Sequence, residues 1–451
     1  QTLGAWMKKN MRSSIKRYPF CAVVAILLTS TLCLAAPAIQ PTGTQSSLTR
    51  TKVPRATTKH ARKQALKSTF TTPRGGGGGA TTQEDFYDPT WKEIFEIPIR
   101  IEDQKHWDSI STSKRVAMML RPSVLHLTIL SSLGPLIFRG AAAAAASGGD
   151  AAAVTLHPLR SILWTIAMVS YHASHNMLND YQDLEGDDSR EDSFRLAYGV
   201  HALQQKFVST SDFFKIMVNV TLPGILVSAL LYKTDLKYAF PWGFAALLLY
   251  TPFFKPFAMG EVLVYFVWGP LMAGFGELAA TGEALSVKSI LTSPISAFWG
   301  AIASGVILGK HTDKIGKSSA KTVPALLGYG GGVLTLDAIF VVLPYLLLAW
   351  ALSIGRVGPY GSGSTIVPLG SCLAFIAFFN EGLASLRLLS KGEPKDGPTT
   401  TEIFKGTLTD YDPTENWPLW FVAALGRNSI IIGYLAVIGA GYEWALRAVV
   451  K

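Results

Sequence analysis

Acidic side chains are missing from the first 83 residues of this 451-residue chain, and cysteine is nearly missing from all of it. The three cysteines, Cys21, Cys33 and Cys372, form no CxxC pair and allow no disulfide framework. Zinc or iron would call for sets of Cys or His that are absent as well. Charge is scarce: 16% of residues are charged against 49% hydrophobic, too apolar for an ordinary soluble domain. The chain therefore reads as an all-α, polytopic membrane protein whose main partner is the lipid bilayer. The net charge of +10 would suggest a nucleic-acid partner, but the first 83 residues hold 13 Lys or Arg. The remainder is left at −3, so no nucleic-acid partner is expected.

Those 83 residues read as a targeting leader. Lys8, Lys9, Arg12, Lys16 and Arg17 precede an apolar run from Cys21 that ends in Leu34-Ala35-Ala36-Pro37, the pattern of a signal and its cleavage site. A Ser/Thr/Arg/Lys-rich stretch from Gln40 to Arg74 then has the composition of an organelle transit peptide. Signal followed by transit stretch reads as a plastid address, with the mitochondrial inner membrane as the competing reading. Gly75 to Gly79 is a flexible linker, since no Gly-Lys-Ser/Thr follows it. Residues 84–115 mix charges with Trp91 and Trp107, as a surface or interfacial segment would.

From residue 116 to 451, apolar stretches long enough to cross a bilayer recur between short polar breaks. They lie near 117–138, 158–178, 211–232, 238–254, 258–280, 290–310, 330–354, 365–388 and 418–447, nine spans in all. The first break, with Ala141 to Ala146 and Gly148-Gly149, reads as a low-complexity loop insertion.

The chemistry sits at the feet of two spans. The second closes on NDYQDLEGDD, residues 179 to 188, where Asn179, Asp183 and Asp187 fall at i, i+4 and i+8 and form one helical stripe of oxygen ligands beside Asp180. Ionisable groups at membrane depth mark a function by default. The sixth closes on GKHTDKIGKSSAKT, which sets Asp313 among Lys310, Lys314, Lys317 and Lys321. Four crossings separate the two clusters, so both emerge on one side and one site can use both. Mg²⁺ prefers hard oxygen ligands and is commonly held by one or two carboxylates with substrate phosphates. One carboxylate among four lysines suits an anion, and a magnesium-bridged diphosphate is the anion both clusters would share. Arg190, Arg195, His201 and Lys206 are within sequence reach of the same phosphates. The bland reading of the lysines is a positive-inside flank. His172 and His175, one turn above the first motif, read as polar cavity lining rather than metal ligands.

At these residues the chain resembles the UbiA superfamily of intramembrane aromatic prenyltransferases. NDYQDLEGDD is similar to that family's first motif, Asn-x-x-x-Asp-x-x-x-Asp, in the Asn-Asp-Tyr-x-Asp form of its menaquinone and phylloquinone branch. Leu120-Arg121-Pro122 resembles the family's Arg-Pro, Met259-Gly260-Glu261 with Trp268-Gly269-Pro270 its fifth-span signature, and Thr322 to Gly328 the stretch after its second motif. The resemblance implies a nine-helix bundle and Mg²⁺-dependent transfer from a prenyl diphosphate donor to an aromatic acceptor, 1,4-dihydroxy-2-naphthoate. It implies Asp183, Asp187 and Asp313 as catalytic, with Asn179 and Asp180 completing the metal set. Substrate contacts would fall to Arg121, Tyr181, Arg195, Glu261, Lys310, Lys314, Lys317 and Lys321. Tyr171, Tyr250, Tyr265 and Trp268 offer further aromatic faces to a carbocation. One departure stands out: the family's second motif carries two carboxylates, whereas Lys317 follows Asp313 at i+4. Either fewer protein ligands hold the second metal, or Lys317 contacts the diphosphate. A secondary transporter also places carboxylates in spans, but it calls for repeat symmetry and helices broken near the midplane. A non-catalytic lipid-diphosphate-binding relative is the other alternative.

Overall fold

A computed structural model describes residues 88–91, 94, 101, 103–146, 155–182, 184, 200–250, 254, 257–282, 287–315, 321–328, 330–357, 367–390 and 419–449. Every regular element among them is helical. The leader, the Gly linker and residues 391–418 lie outside the described residues.

Two short helices open the described chain, α1 (Gln104–Ser109) and α2 (Thr112–Leu120). Asp103 caps α1 by accepting from the His106 N–H at 2.9 Å. Trp107 is only 1% exposed and stacks on Phe207 with ring centroids 5.3 Å apart, so the segment read as interfacial is packed into the body through its aromatic side. Burial pulls the Arg115 guanidinium below its ordinary pKa against the opposing pull of Asp108.

α2 and α3 (Pro122–Ala146) are separated by Arg121 alone, at φ 55. Proline disfavours the helical region for the residue before it, which breaks the helix where a side chain is needed. α3 runs on through Ala146, so the alanines read as a loop insertion are helical; alanine has the highest helix propensity, and no Gly or Pro interrupts them. Next come α4 (Pro158–Gln182), α5 (Thr210–Leu231) and α6 (Ala239–Leu249). α7 (Gly260–Phe266) continues through a π-helical segment, Val267–Gly274, into α8 (Phe275–Thr281). α9 (Val287–Thr292) leads to α10 (Pro294–Lys310), capped by Ser293 with Pro294 in its first turn and closed by a 3-10 turn, His311–Lys314. α11 (Val323–Leu327) and α12 (Gly331–Val357) follow. A 3-10 turn at Leu369–Leu373 feeds α13 (Ala374–Ala377), a second π-helical segment at Phe378–Gly382, and α14 (Leu383–Ser390); the chain closes on α15 (Leu419–Val449).

Six helical runs among the described residues are long and apolar enough to cross a membrane: α3, α5, α7 to α8, α12, the run Leu369–Ser390, and α15. The other three expected spans also fall on helices, yet by length and composition they do not qualify. α4 has 25 residues but many hydroxyl, amide and imidazole groups; α10 has 17 and α6 has 11. Hydroxyls in α4 bond back to their own helix, Thr165 to the Ser161 carbonyl at 2.9 Å and Ser174 to Ser170 at 2.8 Å. Val218, Leu222, Ile225, Leu226 and Leu230 on α5, with Ile339, Leu346 and Trp350 on α12, are exposed, as lipid-facing positions are. The chain is an integral membrane protein of all-α class.

Helix contacts set the site. α4 packs between α3 and α5, and α10 lies against the π-helical segment, α12 and α15. Gly269 permits the approach to α10, since a Cβ there would strike the Ser296 carbonyl.

Candidate active site

A cavity of about 180 Å³ lies among α3, α4, α6, α7, the π-helical segment and α10. Its polar end is lined by Arg121, Asn176, Asn179 and Lys310, its walls by Tyr171, Tyr250, Trp268, Leu271 and Met272, with His172 and His175 between. Asn179 at the foot of α4 and Lys310 at the end of α10 thus meet on one cavity.

The break before α3 is fixed in three ways. The Asn176 amide donates to the Leu120 carbonyl at 3.1 Å, pinning the end of α2 to α4. The Arg121 guanidinium pairs with Asp180, and His201 Nδ1 lies 3.0 Å from the same carboxylate oxygen and 2.9 Å from the guanidinium. Asp180 is buried and His201 more so, and their contacts orient the arginine whose left-handed backbone places it at the cavity rim. Asp180, expected as a metal ligand, here binds a guanidinium.

A second pair fixes the end of α10. His311 Nδ1 and Glu261 Oε1 are 2.7 Å apart, both residues buried, and the Ser304 hydroxyl donates to the Glu261 carbonyl at 3.1 Å. The pair ties α7 to the turn that follows Lys310. Glu261 itself does not line the cavity, and Lys314 is buried outside that lining. Lys321 and Tyr181 are exposed, Tyr181 meeting Phe214 edge-on with centroids 4.8 Å apart. Asp313 falls within the 3-10 turn His311–Lys314. Asp183, Asp187, Arg195 and Lys317 lie outside the described residues.

The structure brings together Arg121, Asn179 and Lys310 out of the expected set. Among the described residues no three His, Cys, Asp or Glu side chains converge to hold a metal ion. Carboxamide oxygens of the kind Mg²⁺ accepts come from Asn176 and Asn179 on the cavity, and in the sequence Asp183 and Asp187 follow Asn179 at i+4 and i+8.

Sequence reasoning missed the Glu261–His311 pair, because 50 residues separate its members. It also missed the partner of His172: Thr128 Oγ1 lies 2.7 Å from His172 Nδ1. The visible signal for both was a polar residue inside an apolar stretch.

No protein-family model matches the chain, and no curated protein matches it either. A solved structure described as a digeranylgeranylglyceryl phosphate synthase in membranes is similar over 71% of this chain and 99% of its own, at 17% identity and a TM-score of 0.41.

Proposed function

We propose that the chain is a membrane prenyltransferase that moves a polyprenyl group from a prenyl diphosphate to an aromatic acceptor, 1,4-dihydroxy-2-naphthoate, with Mg²⁺. One observation carries this reading: a single cavity holds two cations and two amides at one end, Arg121, Lys310, Asn176 and Asn179, and aromatic and aliphatic walls along the rest. Fixed cations bind the diphosphate, and apolar walls take what is attached to it.

Each side chain has a part in that scheme. Arg121, held by Asp180 and His201, and Lys310, placed by the turn that Glu261 anchors, stabilise the diphosphate as it departs. The allylic C–O bond breaks with its electron pair going to the diphosphate; the acceptor ring carbon supplies the pair for the new C–C bond, and the carboxylate on that carbon leaves as carbon dioxide. Tyr250, Trp268 and Tyr171 exclude water and turn aromatic faces to the cation. Mg²⁺, when bound, neutralises the diphosphate charge, and Asn179 with Asp183 and Asp187 would hold it. The Asn-Asp-Tyr-x-Asp form favours naphthoate over homogentisate, whose enzymes carry Gln at the position of Asp180. The leader composition supports a plastid membrane.

The test is an assay on membranes with radiolabelled geranylgeranyl diphosphate, Mg²⁺ and either dihydroxynaphthoate or homogentisate, alongside Asp183→Ala. A magnesium-dependent prenylated naphthoquinol that Asp183→Ala abolishes is the expected result. Product from homogentisate alone would replace the acceptor, and no product from either would overturn the reading.

A further inference from the structure

The end of the bundle away from the cavity carries a polar cluster that prenyl transfer does not use. Gly282 closes α8 at φ 71, and a Cβ built there would lie 2.8 Å from His157 Nε2 and 2.9 Å from Arg160 Nη1. Two nitrogen donors, both on half-buried side chains, therefore converge over one glycine. The His157 backbone N–H donates to the Ala280 carbonyl at 2.8 Å, which seats the entry to α4 on the last turn of α8. Neither the imidazole nor the guanidinium has a hydrogen-bond or ion-pair partner among the described residues. Glu277, five residues before Gly282, is taken up by Arg139 of α3.

The register of the helices sets this cluster at the depth of lipid headgroups. Tyr171 with Ser228 and Ser174 with Thr221, each pair 2.7 Å apart, run α4 and α5 antiparallel, so the start of α4 stands beside the end of α5. There Tyr232, Tyr238 and Trp242 are exposed, and such residues mark a membrane–water interface. Nineteen residues of α4 lead from Arg160 to Asn179. At about 1.5 Å per residue that is roughly 28 Å, close to the hydrocarbon thickness of about 30 Å. Arg160 and Asn179 thus stand at opposite faces of the bilayer. Leu159, between the two donors in sequence, is 70% exposed and offers an acyl chain a contact that a free ion would not use.

We propose that His157 and Arg160 bind the phosphate of an anionic lipid headgroup in the leaflet opposite the diphosphate end of the cavity. The guanidinium fork matches phosphate oxygens, and the imidazole adds one N–H. A flank acting through net charge alone needs no convergence of its members. Here both donors face one point, with an exposed leucine beside them, which fits one lipid held in one place. The lipid fastens the start of α4, whose other end carries Asn179, to the last turn of α8. The site stands whether or not the cavity transfers a prenyl group.

The test measures the thermal midpoint of the full-length protein in nanodiscs of phosphatidylcholine alone and of phosphatidylcholine with phosphatidylglycerol. A lipid bound only by the folded chain stabilises it by mass action, so phosphatidylglycerol should raise the wild-type midpoint by about 3 °C or more. Arg160→Gln and His157→Gln should each lose most of that rise. Arg447→Gln removes a cation paired with Glu443 on α15, whose Trp444 packs at Gly140 near the end of α3, and should keep the rise. An equal rise in all four proteins, an equal loss in Arg447→Gln, or no rise in the wild type overturns the site. The same rise from inorganic phosphate in phosphatidylcholine alone overturns the lipid as its occupant. Where a variant does not fold, native mass spectrometry of the wild type decides: preferential retention of phosphatidylglycerol by about tenfold is expected, and equal retention of the two lipids overturns the proposal.

Discussion

The two halves of the bundle handle buried polarity in opposite ways. From α3 to α10 several polar groups surround a cavity: Arg121 with Asp180 and His201 at its rim, Glu261 with His311 behind Lys310, Thr128 with His172 in its wall; the Arg139–Glu277 pair of that half lies away from it. From α12 to α15 the polar groups are as buried, yet no residue beyond Lys310 lines that cavity. There the Tyr345 hydroxyl donates to Asn428 at 2.7 Å, the Asn428 amide donates to the Val341 carbonyl at 3.3 Å, and Arg427 pairs with Glu381 at 3.2 Å across the second π-helical segment. Asp337 lies fully buried in α12, and neither of its carboxylate oxygens has a hydrogen-bond partner. Buried polarity in a membrane helix is thus no sufficient mark of a site. It marks one where it converges on space that a ligand can fill; elsewhere it joins helices, since interhelical hydrogen bonds contribute to association in lipid.

The sharpest way to break this comparison is to remove one arginine from each half. Arg121→Ala takes a cation from the cavity rim and should lower kcat by about 10² to 10³, with the folded protein still recovered in membranes. Arg427→Ala should leave kcat within about threefold while lowering the thermal midpoint, because it strands Glu381. Steady-state transfer and a melting curve on the same preparations read both effects, and a reversal of the two would dissolve the contrast. A smaller effect separates the halves by stability alone. Asp337→Leu replaces a carboxyl without partners by an apolar side chain of similar size and should raise stability by about 1 kcal/mol with transfer unchanged. A drop in transfer would put Asp337 to work in a site of its own.

Much of this was legible in the sequence, for identifiable reasons. Each of the nine apolar stretches falls on helix among the described residues, because twenty apolar residues in lipid have few alternatives to hydrogen-bonding internally. The count of crossings was not legible in the same way: α4, α6 and α10 are helices whose polarity or length sets them apart from the six clear spans. Asn179 and Lys310 were readable as candidates because each stands in a polar cluster that closes an apolar stretch. Arg121 was read only through the resemblance of Leu120-Arg121-Pro122, and the break before Pro122 falls inside the expected span 117–138. The contacts that orient these groups were not, because Asp180 with Arg121 and Glu261 with His311 join positions 59 and 50 residues apart that only packing brings together. Asp180, beside the stripe and expected among the metal ligands, shows the consequence: the fold pairs it with the Arg121 guanidinium, which no spacing in the sequence announces.

The central claim is that the cavity between the feet of α4 and α10 binds a prenyl diphosphate, and photoaffinity labelling tests it most directly. A geranylgeranyl diphosphate analogue carrying a photoreactive group near its diphosphate would be irradiated with the full-length protein in membranes containing Mg²⁺, and the labelled peptides mapped. The account predicts label on the ends of α4 and α10, around residues 172 to 179 and 303 to 310, suppressed by excess unlabelled diphosphate. Competable label confined to α12 to α15 would contradict it.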